Sequence, residues 1–414
     1  MTPAPALARG KIFRGWWIAA VSVAGLSFSV GTMLAYTFGI FAKPLAMQLH
    51  ASRGSIALAV SFVDLILTFA SPGAGRLVDR YGARGVIVTS LLALSACLVA
   101  LAFLQPPVWH LYALYAAAGL LGVATTPVTY SRVIANWFDQ RRGLALGIAN
   151  AGIGVGAFIT PPLAQYLIDR GGLRLAYLGL MGCSLAIALP AVWFFLRATP
   201  EECGLHIDNA PAPPPRKGKS ADGMTVAEAL RTPTFWLLCF IFFCVAACVN
   251  GAVAHLAPLL TDAGVSARSA ALAASIFGAM TIAGRVANGY LVDRFFAPRV
   301  IAVLFSGGAL AIVLLWINPR SSVFLVPALF GLAGGAEGDV MPYLISRYFG
   351  MRSMAELFGC AFGVYTLGNA VARYLFGLGF DKYGSYNVPL TCALVAIVLA
   401  IIACFGLGRY RTSA

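Results

Sequence analysis

The 414-residue chain is 60% hydrophobic and only 11% charged, with a formal net charge of +14. Soluble domains carry roughly 25% charged residues, so this composition excludes an aqueous globular protein, and lipid must cover part of the apolar surface. A basic balance can signal a nucleic-acid partner, but here the placement of the bases along the chain gives them another meaning.

A helix needs about 20 apolar residues to cross the bilayer core. Twelve runs meet that need, near 15–41, 54–78, 85–104, 109–135, 143–168, 174–196, 234–260, 267–292, 299–317, 321–346, 354–380 and 386–408. They are continuous and do not alternate, which sets aside a closed barrel, the other spanning solution. The first opens on the interfacial anchors Trp16 and Trp17 and exceeds a signal-peptide core, so no cleaved leader is expected. It carries Tyr36. The second carries Asp64 and closes on Gly75-Arg-Leu-Val-Asp79-Arg80. The fourth carries Thr126 and Tyr130. The fifth, rich in glycine (Gly143, Gly147, Gly152, Gly154, Gly156), carries Asn150.

After the sixth run a polar stretch holds Pro211, Pro213, Pro214 and Pro215, then Arg216, Lys217 and Lys219. It reads as a linker over 198–232 between six-span halves at 1–197 and 233–414. Thr225 and Glu228 have capping-box spacing, so a short surface helix is expected before span seven. That span holds Asn250 and, near its outer end, His255. The eighth holds Arg285 and closes on Gly289-Tyr-Leu-Val-Asp293-Arg294. The tenth holds Glu337-Gly-Asp339, and the eleventh holds Tyr365 and Arg373. Nine cysteines, all but Cys203 inside spans, lack metal-ligand spacing and read as small packing residues.

Internal repeats organise the chain. The motifs closing spans two and eight are offset by 214 residues; Gly147, Asp169, Arg170 and Gly172 match Gly359, Asp381, Lys382 and Gly384 at an offset of 212. Asp-(Arg/Lys) pairs thus close spans two, five, eight and eleven. Three-helix units repeated with inverted orientation are a feature of secondary transporters. With the N-terminus inside, 20 of the 29 Lys and Arg fall in cytoplasmic segments and 7 outside, while Arg285 and Arg373 lie within spans. That asymmetry is the positive-inside pattern, so both termini are expected in the cytoplasm of a multi-pass inner (plasma) membrane protein.

Gly75-Arg-Leu-Val-Asp-Arg-Tyr-Gly-Ala-Arg84 resembles the loop motif of the major facilitator superfamily. Arg14-Gly-Trp-Trp17, the stretch Trp137 to Gly152 and Phe277-Gly-Ala-Met-Thr-Ile-Ala-Gly-Arg285 resemble its monocarboxylate porter and oxalate:formate antiporter group. The resemblance implies an all-α membrane protein of twelve transmembrane helices in two pseudo-symmetric six-helix bundles. It also implies organic-anion transport by proton symport or anion exchange, with Arg285 at the family's carboxylate-binding position. Two departures matter. Thr281 stands where animal monocarboxylate porters have an aspartate, and Tyr365-Thr-Leu-Gly-Asn369 lacks the lysine used in oxalate:formate exchange.

Ionisable groups at membrane depth are costly and need a reason. Arg285 offers a permanently charged planar fork to a carboxylate; the competing reading is a permanent ion pair with Glu337 or Asp339. Glu337, Asp339, Asp64 and His255 are the proton-coupling candidates, the first two as a facing pair if both line the cavity. Tyr36, Thr126, Tyr130, Asn250 and Tyr365, with Asn150, are placed to meet a substrate's other oxygens. Arg373 could substitute for the missing lysine, or pair with Asp381. Asp79, Arg80, Arg84, Arg142, Asp293 and Arg294 are expected to latch the halves. No catalytic set, nucleotide loop or metal motif is present, so neither an enzyme nor a cofactor is expected. The partners are then a small organic anion, protons and the bilayer, with no nucleic acid and a monomer as the working unit. One secure cation favours a lactate- or pyruvate-like monocarboxylate carried by alternating access over a dicarboxylate.

Overall fold

A bilayer offers the backbone no outside donor or acceptor, so the apolar runs fold as helices. In the computed structural model, which describes residues 13–51, 53–209 and 223–410, they form fifteen of them. The first half contains α1 (Arg14–Ser27), α2 (Phe38–Gln48), α3 (Arg53–Tyr81), α4 (Ala83–Ala102), α5 (Trp109–Leu121), α6 (Pro127–Trp137) and α7 (Arg142–Cys183). A surface helix, α8 (Val226–Leu230), precedes α9 (Pro233–Ala254), α10 (Leu256–Asp262) and α11 (Ala267–Arg294). The chain ends in α12 (Ala297–Ile317), α13 (Leu325–Phe349), α14 (Met354–Tyr383) and α15 (Asn387–Phe405).

Twelve spans arise because several helices join. A π-helical turn at Gly31–Ala35 links α1 to α2. Between α5 and α6 the span breaks at Thr126, whose backbone is extended because Pro127 follows it. Spans five and six lie in one apolar stretch of 54 residues, Arg142–Phe195, as the two separate helices expected, divided by two glycines with non-helical backbone. It bends at Gly171–Gly172, where Gly172 has φ 68°, a conformation glycine adopts without a Cβ penalty. Among the described residues, seven segments are long and apolar enough by themselves to cross a membrane. The helices α11, α13 and α14 are not among them. They are the ones that carry Arg285, Glu337, Asp339 and Arg373.

Both ends of the described chain lie on one face. The Phe13 ring packs tilted against Trp137 and edge-on against Phe138 at the end of α6, and the Tyr410 hydroxyl accepts from the Ala297 backbone at the start of α12. The linker is anchored to this terminal face. Asn136 Nδ2 donates to the Ala198 carbonyl at 3.0 Å, and Met224 N donates to Phe349 O at 2.8 Å. The expected capping box is formed: Thr225 N donates to Glu228 Oε2 at 2.7 Å and Glu228 N donates to Thr225 Oγ1. Those bonds hold the Glu228 carboxyl below its ordinary range. The linker's proline run and Arg216, Lys217 and Lys219 lie outside the described residues, as do Arg9, Lys11, Arg411 and the side chains of Arg53 and Arg268.

The two six-helix bundles meet along two seams, α3 against α14 and α7 against α11. Glycine sets both. A Cβ at Gly75 would overlap the Ala355 carbonyl, and Cβ atoms at Gly143 and Gly289 would each overlap the other's carbonyl. Gly359 and Gly363 meet the Ser71 and Thr68 carbonyls, and Gly147 meets that of Arg285. Small residues let helices approach this closely without displacing side chains.

Candidate functional site

Arg285 lies where α11 crosses α13 beside the α7 seam. The crossing is close because α13 presents Gly331, Gly335 and Gly338 to α11; a Cβ at Gly335 would sit 2.8 Å from the Arg285 backbone nitrogen. Asn288, one turn further along α11, pins the pair by donating to Leu332 O at 3.1 Å. The guanidinium lies against Gly338, where a Cβ would be 3.3 Å from Nη1. This explains the sequence Glu337-Gly-Asp339: the glycine makes room for the cation between two acids.

The two acids do not form a facing pair. Positions two apart on a helix are turned by about 200°, so they address different neighbours. Asp339 Oδ1 accepts from Arg285 Nη1 at 3.0 Å, and Asn150 of α7 lies beside the same carboxylate. Glu337 turns to α9 and α14, where its Oε2 accepts from Asn250 Nδ2 at 3.1 Å and Tyr365 stands next to it. Tyr365 in turn neighbours Asn369 and Tyr36. Arg285 is 9% exposed, and Glu337 and Asp339 1% each. Arg285 Nε, Asp339 Oδ2, Glu337 Oε1, Asn369 Oδ1 and both polar atoms of Asn150 make no well-aligned hydrogen bond within the protein, although Asn150 stands beside Asp339 and Tyr365 stands beside both Glu337 and Asn369. Buried polar atoms are almost always paired, so the charged members of this cluster retain hydrogen-bonding capacity that the protein does not use up.

Of the expected lining residues, Asn250, Tyr365, Tyr36 and Asn150 converge on this cluster. Thr126 and Tyr130 have other surroundings, and the Tyr130 hydroxyl has no hydrogen-bond partner within the protein. Thr126 Oγ1 donates to Val123 O, and Tyr130 is wholly buried against Gly25. Asp64 and His255 make their contacts with α14 around Arg373. Asp64 Oδ2 pairs with Arg373 Nη1 at 3.1 Å across the α3/α14 seam. Arg373 therefore pairs with Asp64 in the other half and not with Asp381 one helical stretch away on its own. His255 Nε2 lies 3.1 Å from the Arg373 carbonyl, and its ring stacks on Phe376.

At the terminal face, acids from one half cap helices of the other. Asp79 Oδ2 accepts from Glu356 N at 3.0 Å at the start of α14, while Asp293 accepts from Gly143 N and Leu144 N at 2.7 and 2.9 Å at the start of α7. A helix start carries unsatisfied N–H groups and a positive partial charge, which a carboxylate complements. Arg142 Nη1 donates to Ser346 Oγ of α13 at 2.9 Å. Arg80, Arg84 and Arg294 rest within their own halves, on Tyr81, Trp193 and Tyr290 respectively. Sequence reasoning missed the remaining locks. Arg76 pairs with Glu356 at 2.6 Å, and Arg347 of α13 pairs with Asp139 at 3.0 Å. Arg132 holds Asp79 at 3.1 Å. Asp208 Oδ2, from the linker, accepts from Asp139 N and Gln140 N. The signal available was an excess of opposite charges in helix-end loops, but nothing local fixed the partners.

The sequence profile of the Major Facilitator Superfamily matches residues 18–372. The chain belongs to that family. Among its relatives, Monocarboxylate transporter 11 of Mus musculus is 26% identical, with 99% of this chain and 90% of that protein covered. Monocarboxylate transporter 12-B of Danio rerio is 26% identical over 90% of this chain and 83% of that one. The uncharacterized MFS-type transporter YhjX of Escherichia coli (strain K12) is 25% identical over 85% of each. The solved proton:xylose symporter XylE superposes with a TM-score of 0.70 at 15% identity, covering 95% of both chains. The transporter FucP gives 0.65 at 15% identity, covering 96% of this chain and 99% of its own. The expected twelve-helix fold is thus shown, and the protein is a multi-pass membrane transporter, not an enzyme. The buried charge cluster lies beside the α7/α11 seam, where the two halves meet.

Proposed function

We propose that the protein is a secondary active carrier of small monocarboxylates of the lactate or pyruvate kind, coupled to protons by alternating access. The observation that supports this most is Arg285, a fixed cation buried beside the inter-half seam and paired with Asp339 among polar groups that are not fully hydrogen-bonded. The relatives named as monocarboxylate transporters support the same substrate class. On this reading the terminal face is cytoplasmic, in accord with the 20-to-7 distribution of bases, and the protein resides in the inner (plasma) membrane. The bundles 1–197 and 233–414 move as units joined by the linker 198–232, and one copy suffices.

Asp339 explains why a proton travels with the anion. It holds the position on Arg285 that a substrate carboxylate needs. Displacing it without protonation leaves an unpaired buried charge, which costs about 3–5 kcal/mol. Protonating Asp339 removes that cost and frees the guanidinium for the substrate, whose remaining oxygens meet Asn150, Asn250 or Tyr365. Glu337, bonded to a neutral amide and with one oxygen unpartnered, is the second proton carrier. Binding then neutralises the cluster and permits the seams to open at one face and close at the other.

Uptake of labelled acids into proteoliposomes, with and without an inward proton gradient, tests the reading. Arg285→Gln and Arg285→Lys are expected to insert normally and to lose at least about 100-fold in transport, the loss of a buried bidentate charge partner. Asp339→Asn should retain exchange of one acid for another while losing its response to the gradient. Normal kinetics in either arginine variant, or an unchanged gradient response in Asp339→Asn, overturns the assignment. The alternative is an exchanger of dicarboxylates, for which Arg373 would supply the second cation. Its pairing with Asp64 favours the monocarboxylate. Uptake that depends on a preloaded counter-anion and ignores pH would select the exchanger.

A further inference from the structure

Away from the charge cluster, the second half carries a furrow of about 380 Å³ between α9, α14 and α15. Small side chains open it: Ala372 and Gly379 on α14, Cys392 and Ala396 on α15. Its rim includes Leu375, Leu378 and Val388, all exposed. On a membrane protein an exposed leucine rim of this kind faces hydrocarbon. At one end stand Lys382 and Tyr383, the last two residues of α14. From Ala372 to Tyr383 the furrow follows eleven helical steps, about 16 Å at 1.5 Å per residue. That is one leaflet of a hydrocarbon core about 30 Å thick.

We propose that this furrow is a binding site for a membrane phospholipid, with one acyl chain laid along α14 and the phosphate at Lys382. The apolar walls fit a chain and not a polar solute. The length matches a single leaflet, and the only charged side chain lining the furrow among the described residues is a cation at the depth of the headgroups. Lys382 rests on the Tyr383 ring at 5.3 Å, the kind of aromatic and basic pair that anchors at the membrane interface. The site has a structural consequence. Ala372 and Phe376 of its wall pack on Gly251 of α9, and Phe376 stacks on His255. Arg373, between those two wall residues, reaches across to Asp64 in the other half. A chain seated in the furrow therefore supports α14 where it carries the cross-seam ion pair.

The test uses the full chain in nanodiscs containing a phospholipid with a photoreactive acyl chain, followed by mapping of the cross-linked peptides. Cross-links are expected to concentrate on 372–383 and 388–396. Lys382→Glu should lower them about fivefold or more, the effect of one basic contact with a headgroup. Cys392→Trp, which fills the furrow and leaves Lys382 in place, should abolish them while leaving labelling elsewhere unchanged. Where that variant does not elute as a single species, Ala396→Leu serves as the smaller filler. Labelling spread evenly over the lipid-facing helices, or unchanged by both substitutions, overturns the proposal. A photoreactive fatty acid without phosphate is the second probe, and equal labelling by it would sink the phospholipid assignment.

Discussion

The α3/α14 and α7/α11 seams descend from the same repeat, yet they are held differently. At the terminal face they match. Asp79 caps the start of α14 and Asp293 caps the start of α7, each supplied by the opposite half. Further into the membrane they diverge. The α3/α14 seam continues through Thr68–Thr366 at 2.9 Å and Asp64–Arg373 at 3.1 Å. The α7/α11 seam continues through Gly147 under the Arg285 carbonyl and Gly154 against Ile282, with no ion pair among the described residues. On the α7/α11 seam the cation's acid comes from its own half, since Arg285 pairs with Asp339 of α13, whereas on the α3/α14 seam Arg373 takes its acid from the opposite half, so one seam is smooth and the other is pinned.

The largest break in this comparison comes from filling the contacts the seams share. Gly289→Leu and Gly75→Leu should each disfavour closure at the terminal face by about 1–3 kcal/mol, as overpacking does. That lowers the closed population about five- to 150-fold, measured as reduced uptake together with lost cross-linking between cysteines placed across that face. Equal effects would show that the seams work as equivalents there; an effect from one alone would end the equivalence. The next test concerns the polar link. Asp64→Asn or Arg373→Gln alone should lower stability by about 1–3 kcal/mol, less than a fully buried pair because Arg373 is partly exposed. The double variant should recover part of the loss, read as a thermal unfolding cycle in detergent. Additive losses would mean that the pair does not couple the halves. The smallest effect is expected from Asp208→Ala. Removing its cap of the Asp139 loop should cost about 0.5–2 kcal/mol and weaken the nearby Arg347–Asp139 lock, seen as a few-fold change in transport rate with unaltered KM. A shift in KM would place Asp208 in the binding path instead.

Much of the framework was legible because it is local or periodic. The twelve apolar runs, the 212- and 214-residue offsets and the Thr225–Glu228 cap each follow from neighbouring residues. Arg285 was legible through its cost, since an arginine within an apolar run demands a use. The partners were not legible. Arg373 had an acid eight residues away in Asp381, and only packing showed that Asp64, in the other half, stands closer. The Glu337 and Asp339 pair was misleading for a related reason. Adjacent in the chain, they are turned apart by the helix, one towards Arg285 and one towards Asn250. Nor does sequence report which face of a span is buried, and only the fold showed the Thr126 hydroxyl bonded to Val123 O and Tyr130 wholly buried.

By itself, then, the sequence determined that the chain lives in a membrane, crosses it twelve times and repeats its own design, since composition and periodicity are properties of single segments. Only the tertiary structure decided which charges meet. Helix rotation and interhelical approach set those distances, and both depend on glycines and side chains remote in the chain, such as Gly147 beneath Arg285 and Gly338 beside its guanidinium.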